Sequence, residues 1–235
     1  MAYKTWFLGM FLTLLTFQAD SQVLISILLG DKLNSPNVEF GLEGGINYSN
    51  IRGFETRSFV PNFYLGFYFN LRLKSHWWIN TGVRVKSNLG TDQLSLNDLQ
   101  TLETEIFSIP GNYSQRIGYF MIPALLKYKL NNSIFFEIGP QIGLRLRSTF
   151  VQFDANEDNQ ESRIRTYNKE EVNPFDVGAM AGIGYTFFKG TGLTFGLKYY
   201  YGLTQVYKES SGYYNQSIFL QFNIPIGVGK KTDAE

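Results

Sequence analysis

The chain of 235 residues has no cysteine and one histidine, His76. Without thiols it can form neither a disulfide nor a thiolate metal site, which excludes small disulfide-stapled folds and zinc-ribbon centres. Neither sign of charge dominates: 21 Lys and Arg stand against 20 Asp and Glu, a formal net charge of +1. That balance gives no long-range pull toward nucleic acid, so no nucleic-acid partner is expected. Long apolar runs are scarce too. Beyond the N-terminal segment no stretch approaches the roughly 20 apolar residues that a membrane-spanning helix needs, and mean hydropathy is only −0.13. What the chain has in quantity is aromatic residues (15 Tyr, 21 Phe, 3 Trp) and 23 glycines.

These two plentiful classes fall on opposite faces of the same segments. In residues 62–73 one face reads Phe63, Leu65, Phe67, Phe69, Leu71, Leu73 and the other Asn62, Tyr64, Gly66, Tyr68, Asn70, Arg72. A period of two marks a β-strand with one apolar and one polar face. Eight such runs occur, at 38–48, 62–73, 77–86, 117–130, 134–150, 175–187, 193–203 and 216–226. Glycine lies almost entirely on the polar side, as at Gly41, Gly45, Gly66, Gly82, Gly178, Gly182 and Gly184. The interior of a small barrel is crowded and favours glycine, whereas bulky side chains belong where there is room. The apolar face therefore points outward, into lipid. A barrel wall needs only every second residue apolar, which accounts for the mean hydropathy near zero. The expectation is all-β: an eight-stranded antiparallel up-and-down transmembrane β-barrel over residues 38–228.

The connections alternate in length. Residues 74–76, 131–133 and 189–191 make short turns, whereas 49–61, 87–116, 151–174 and 204–215 make long links. Short turns at one end and long loops at the other is the outer-membrane pattern, with the short turns periplasmic. Three-residue turns preserve facing and would pair Leu130 with Ile134, Tyr128 with Phe136 outward and Lys127 with Glu137 inward. Asn131, Asn132 and Gly190 are the residues expected to take the positive φ such hairpins require. Outward Tyr48, Trp77, Tyr128, Tyr185 and Tyr201 read as interfacial girdles.

The N-terminus reads as an export signal. Lys4 supplies a positive charge, Trp6 to Phe17 an apolar core without a polar face, and Ala19 and Ser21 the small residues before a cut at Gln22. Residues 1–21 are then a signal peptide, 22–37 a periplasmic lead-in of undetermined structure and 229–235 a periplasmic tail. The expected location is the bacterial outer membrane, with its lipid as the first partner.

Inward positions carry acids at Glu39, Glu43, Glu137 and Asp176 and bases at Arg72, Arg84, Lys86, Lys127, Arg145, Arg147 and Lys198. These could line a polar conduit or a catalytic site. The reading preferred is a luminal network of ion pairs centred on Glu39, Glu43, Arg84, Lys127, Glu137, Arg145 and Lys198. It would fill a lumen just wide enough for side chains, since buried carboxylates are tolerated only beside cations. His76 falls in a short turn, far from the outer rim, so no Ser–His or Asp–His pair can form there. Residues 154–161 begin like a calcium loop but lack Gly at the sixth position and have Arg165 at the twelfth, leaving a solvated acidic loop. Within 87–112, Leu94, Leu96, Leu99, Leu102 and Ile106 are spaced as on a short amphipathic helix that caps the barrel or meets a partner. No cofactor or metal is expected.

The run from Val38 to Ser49, the run from Tyr119 to Tyr128, the stretch from Glu137 to Gly143 and the run from Gly196 to Thr204 together resemble PorT-like outer-membrane β-barrel proteins. The resemblance extends from about Val38 to the C-terminus. It implies a barrel and contributes no catalytic residue. The family's namesake is linked to type IX secretion, which the resemblance offers as one context. One departure is that Gly227 to Glu235 follow the last strand, where many outer-membrane strands end on an aromatic residue. Two function classes follow: a non-enzymatic anchor, surface or adhesion protein or secretion-complex component working through long extracellular loops; or a small-solute or lipid-handling barrel using the lumen or rim.

Overall fold

The alternating segments form nine strands and one short helix in a computed structural model that describes residues 35–157, 160–187 and 192–226. The expected signal peptide, nearly all of the lead-in, the turn containing Gly190 and the C-terminal tail lie outside the described residues. In chain order the elements are β1 (Val38–Arg52), β2 (Val60–Lys74), β3 (Trp77–Thr91), α1 (Leu96–Thr101), β4 (Gly111–Lys129), β5 (Ile134–Glu157), β6 (Gln160–Tyr167), β7 (Phe175–Thr186), β8 (Thr194–Gly202) and β9 (Tyr214–Pro225).

Every ladder is antiparallel, and β9 returns to pair with β1. The ring runs β1–β2–β3–β4–β5–β7–β8–β9 and closes, giving the eight expected wall strands. Closure pairs each wall strand with a neighbour on both sides, a condition for a sheet to sit in lipid. Among the described residues this pairing is incomplete only between the far parts of β2 and β3. The ninth strand, β6, pairs only with β5 and stands outside the ring. It forms with the far end of β5 a hairpin that projects beyond the wall. Within residues 154–161, expected as a solvated acidic loop, the described residues 154–157 and 160–161 belong to this hairpin: Asp154 pairs with Arg163 and Ala155 with Ser162.

Facing follows sequence parity over most of the wall. Leu42, Phe63, Phe67, Leu126, Ile138, Ile183, Leu197 and Phe222 are exposed on the outside, while Glu43, Tyr64, Lys127, Glu137, Lys198 and Phe219 are buried within. Lys127 pairs with Glu137 and Tyr128 with Phe136. Glycine makes the interior possible at specific points. A Cβ on Gly184 would lie 2.2 Å from the Phe135 ring, and one on Gly182 would lie 2.7 Å from Lys198 Cγ. The bare backbone at these two positions seats the large luminal side chains beside it.

Bulges overturn parity in places. Register shifts where Val85 is the extra residue between the Leu65↔Lys86 and Gly66↔Arg84 pairs, so Lys86 lies exposed while Ser87 turns in. Lys86 is thus not luminal as parity suggested. A second shift sets Arg145↔Tyr119 beside Thr149↔Ile117, and the intervening Arg147 is exposed rather than inward. The first short turn is Ser75-His76 with a bulge at Leu73, and this two-residue turn plus bulge keeps the facing expected of a three-residue loop. In the second turn Ser133, with φ of 69°, takes the left-handed conformation in place of the asparagines, and Ser75 does so in the first with φ of 45°.

Candidate functional site

Inward residues from six of the eight wall strands, β1, β2, β3, β4, β5 and β8, are linked in one polar chain, with a second polar group one level away. Near the short-turn end, the Glu39 carboxylate accepts from Tyr68 Oη at 3.0 Å and Asn70 Nδ2 at 2.8 Å, with Lys129 Nζ at 3.6 Å. Asn80 donates to Asn70 at 2.8 Å, and Lys198 Nζ reaches Asn80 Oδ1 at 3.4 Å. Lys198 Nζ also lies 2.6 Å from one Glu137 oxygen, and Lys127 Nζ lies 3.1 Å from the other. One carboxylate therefore serves two ammonium groups, and Lys127 also sits over the Phe135 ring at 3.7 Å. One level away, Arg84 Nε pairs with Glu43 at 2.5 Å and Arg84 Nη1 donates to Gln141 Oε1 at 2.7 Å. The guanidinium lies between the Tyr64 and Phe219 rings, 5.4 and 4.9 Å from their centroids.

Above these, Asp176 accepts from Tyr200 Oη at 2.5 Å and from Asn215 Nδ2 at 3.0 Å, and Asn215 also reaches Tyr119 Oη. Arg145 stands apart from the ion pairs: its Nε and Nη1 are buried with no hydrogen-bond partner among the described residues. The structure therefore brings together Glu39, Glu43, Arg84, Lys127, Glu137 and Lys198, and leaves Arg145 beside them. Arg72 lies at the rim, exposed, with its guanidinium 5.7 Å from the Trp78 ring.

The mouth at the long-loop end is closed by a second, apolar layer. Ile51, Phe54, Leu94, Leu99, Leu102, Val151, Phe153, Val172 and Val206 form one buried cluster with Tyr113 and Tyr207. α1 contributes to it with Leu99, and its flanks with Leu94 and Leu102, while Leu96 and Ile106 remain exposed. The helix starts on a capping box, Ser95 and Asp98 bonding each other's backbone N–H. Asp98, only 3% exposed, has a second duty that residue spacing did not suggest. Its carboxylate accepts from Glu55 N at 2.8 Å and Thr56 N at 3.2 Å, pinning the β1–β2 loop over the mouth.

Among the described residues the wall has one seam. Pairing of β2 with β3 stops at Leu65↔Lys86, although β2 runs on along β1 to Val60 and β3 along β4 to Thr91. Side chains close the gap. Thr91 Oγ1 and Asn50 Nδ2 each donate to Ser58 O at 2.9 Å, Asn47 Nδ2 to Asn88 O at 2.9 Å, and Arg116 Nη1 to Asn62 Oδ1 at 2.8 Å.

Chemically the lumen is occupied by its own charges. His76 makes its contact within the turns, to Asn131 Oδ1 at 2.8 Å, at the end opposite the capped mouth. Asp154 is held by Arg163 and Gln152, and no group of three or more His, Asp or Glu that could hold a metal occurs among the described residues.

Residues 30–208 match the family described as the outer membrane protein beta-barrel domain, and the chain belongs to that family. It is an outer-membrane β-barrel protein. No curated protein matches the sequence. Similar solved structures include Ail, the attachment invasion locus protein of Yersinia pestis, at 10% identity over 81% of this chain and 99% of that one, with TM-score 0.43. Neisserial surface protein A is similar at 6% identity over 79% of this chain and 96% of that one, TM-score 0.41. OprG from Pseudomonas aeruginosa is similar at 12% identity over 80% and 93%, TM-score 0.33.

Proposed function

We propose that this barrel is a non-enzymatic, non-conducting anchor that holds a structured surface outside the outer membrane for contact with a partner. The observation that supports it most is the lumen: Glu43, Arg84, Lys127, Glu137 and Lys198 are each at most 3% exposed, mutually paired, and roofed by the apolar cluster. An ion crossing would have to displace pairs held in a low-dielectric interior, which costs several kcal/mol per broken pair. Above the roof, α1, the pinned β1–β2 loop and the β5–β6 hairpin form an ordered platform suited to recognition. The sequence segments quoted above favour a PorT-like barrel, and with it a place beside secretion machinery, as the finer assignment. Residues 1–21 would be removed as a signal peptide on export.

Purified protein in planar bilayers tests the reading. Current no different from protein-free membranes is expected, and discrete channel steps of wild type would overturn it. Tags within 87–116 or 151–174 should be reachable on intact cells and tags within 74–76 or 131–133 should not. N-terminal sequencing of the exported protein should begin at Gln22. The seam between β2 and β3 is the one observation that favours a small-solute or lipid-handling barrel. Uptake of an apolar solute that stops when β2 and β3 are cross-linked above Leu65 would establish that function.

A further inference from the structure

Among the described strands β6 alone has a single neighbour, pairing with β5 from Phe150↔Tyr167 to Glu157↔Gln160. Backbone bonding alternates along such a ladder. Asn168 N donates to Thr149 O at the foot of the hairpin, which fixes the phase. Thr166 and Ile164 therefore direct their backbone groups at Val151 and Phe153, while Tyr167, Arg165 and Arg163 direct theirs at the opposite edge. No backbone hydrogen bond from outside the hairpin reaches Arg165 or Tyr167 among the described residues. Residues 163–167 are all exposed, Tyr167 at 66%. Edge strands are commonly blunted by brevity, proline, a bulge or a covering segment. β6 runs for eight residues without proline, and its register with β5 is unbroken. Its arginines lean back over β5: Arg165 lies 4.7 Å over the Phe150 ring and donates to Gln152 Oε1 at 3.2 Å, and Arg163 has Asp154 at 2.7 Å among its contacts.

We infer that the outer edge of β6 receives an extended segment of a partner protein, which joins the sheet as a further antiparallel strand. The inference rests on the reading of the loop end as a recognition platform and names the form of the partner. Main-chain donors and acceptors that recur about every 7 Å along the edge match an extended polypeptide, whereas neither a glycan nor a lipid presents that repeat. The side chains that suit the edge are those β5 already sets against β6. Phe153 and Val151 stand opposite Ile164 and Thr166, and Gln152 and Asp154 stand opposite Arg165 and Arg163. A second copy of the chain fits less well. Two-fold registers centred on Arg163, Ile164 or Arg165 each set arginine directly opposite arginine, which is unfavourable.

A fluorescein-labelled peptide of residues 148–155 is the probe, titrated with the full-length protein in lipid nanodiscs and read by anisotropy. In the register of β5 its Gln152 and Asp154 point their N–H groups at the outer edge, and Val151 and Phe153 point theirs away. N-methylation at Gln152 and Asp154 should weaken binding about thirtyfold, the equivalent of about 2 kcal/mol for two hydrogen bonds. N-methylation at Val151 and Phe153 should leave it nearly unchanged. Arg165→Pro removes an N–H that the β5 ladder does not use and should abolish binding, whereas Arg165→Gln keeps that N–H and should bind as wild type. Hydrogen exchange of the Ile164 and Thr166 amides confirms the hairpin; if Arg165→Pro loses it, the two methylated peptides decide. No binding of the unmodified peptide would overturn the inference, and so would equal affinity for both methylated peptides, the mark of side-chain docking alone. A Tyr167→Cys protein that forms a disulfide-linked dimer which the peptide does not displace would assign the edge to a second copy. Channel steps in peptide-free bilayers would instead sink the anchor reading itself, a failure these titrations do not mimic.

Discussion

Replacing Glu137 by Gln is the most informative single perturbation of the lumen. The wild-type carboxylate faces Lys198 at 2.6 Å and Lys127 at 3.1 Å, all three groups at most 2% exposed. At an effective dielectric near 20 these contacts amount to about 6 and about 5 kcal/mol of attraction. Removing three charges from water costs several kcal/mol each, so the net worth of the cluster is far smaller than that sum. Losing the carboxylate, however, forfeits both attractions while both ammonium groups stay buried. Such one-sided removals cost about 3–5 kcal/mol. Lys127→Met makes the contrast. It leaves Glu137 and Lys198 as a one-to-one pair, removes a cation from a centre where three cations meet two carboxylates, and keeps an apolar chain over Phe135. Its expected cost is about 1 kcal/mol or less. Combining the two replacements should not restore wild-type stability, because Lys198 is then left without its carboxylate. Urea unfolding from lipid vesicles, followed by the fluorescence of Trp77 and Trp78 and by heat-modifiable migration, would measure all three variants. Equal destabilisation by Lys127→Met and Glu137→Gln would refute the shared-carboxylate argument. A cost below about 1 kcal/mol for Glu137→Gln would mean that water reaches the lumen and screens the charges.

Three further outcomes are expected. Leu126→Arg, outward on β4, should lower folding yield into vesicles by about 2–4 kcal/mol if it lies near the bilayer midplane, whereas Lys86→Leu, outward because of the β3 bulge, should fold as well as wild type. Asp98→Ala removes the acceptor for Glu55 N, Thr56 N and Ser95 N, worth about 1–3 kcal/mol for groups left unpaired; protease cleavage within 53–57 should speed up while the barrel's gel migration stays unchanged. Burial raises the Asp154 carboxyl, but hydrogen bonds from Arg163 and Gln152 outweigh it and hold the group below its ordinary value of 3.8. The hairpin's stabilisation is therefore complete at neutral pH and fades as pH falls from about 4 through the lowered folded value. Hydrogen exchange of β6 amides, corrected for intrinsic rates, should show less protection at low pH, and Arg163→Gln should flatten that dependence.

Period-two alternation and the placement of glycine were enough to specify strands, their facing and a lipid-exposed wall, because a strand shows both faces within six residues. Odd turn spacing likewise placed Lys127 opposite Glu137, a strictly local consequence of hairpin geometry. Tertiary structure decided what local pattern could not carry. Lys198 comes to Glu137 across the lumen, and Asn80 to Lys198, because closing the ring brings β3, β5 and β8 together over separations of 61 and 118 residues. Irregularities turned Lys86 and Arg147 outward, since one extra residue in β3 inverts the period of two and two extra residues between Arg145 and Thr149 loop Arg147 out of it, and neither leaves a mark in composition. The acidic stretch became half of a hairpin because Arg163 and Arg165 stand opposite Asp154 and Gln152, a match visible only once the strands are in register. Asp98 could be read as a helix-capping residue, but not as the clamp on residues 55–56, which depends on two loops meeting over the same mouth. A chain of this kind thus writes its wall residue by residue, while its filling and its roof depend on which distant strands the closed ring brings face to face.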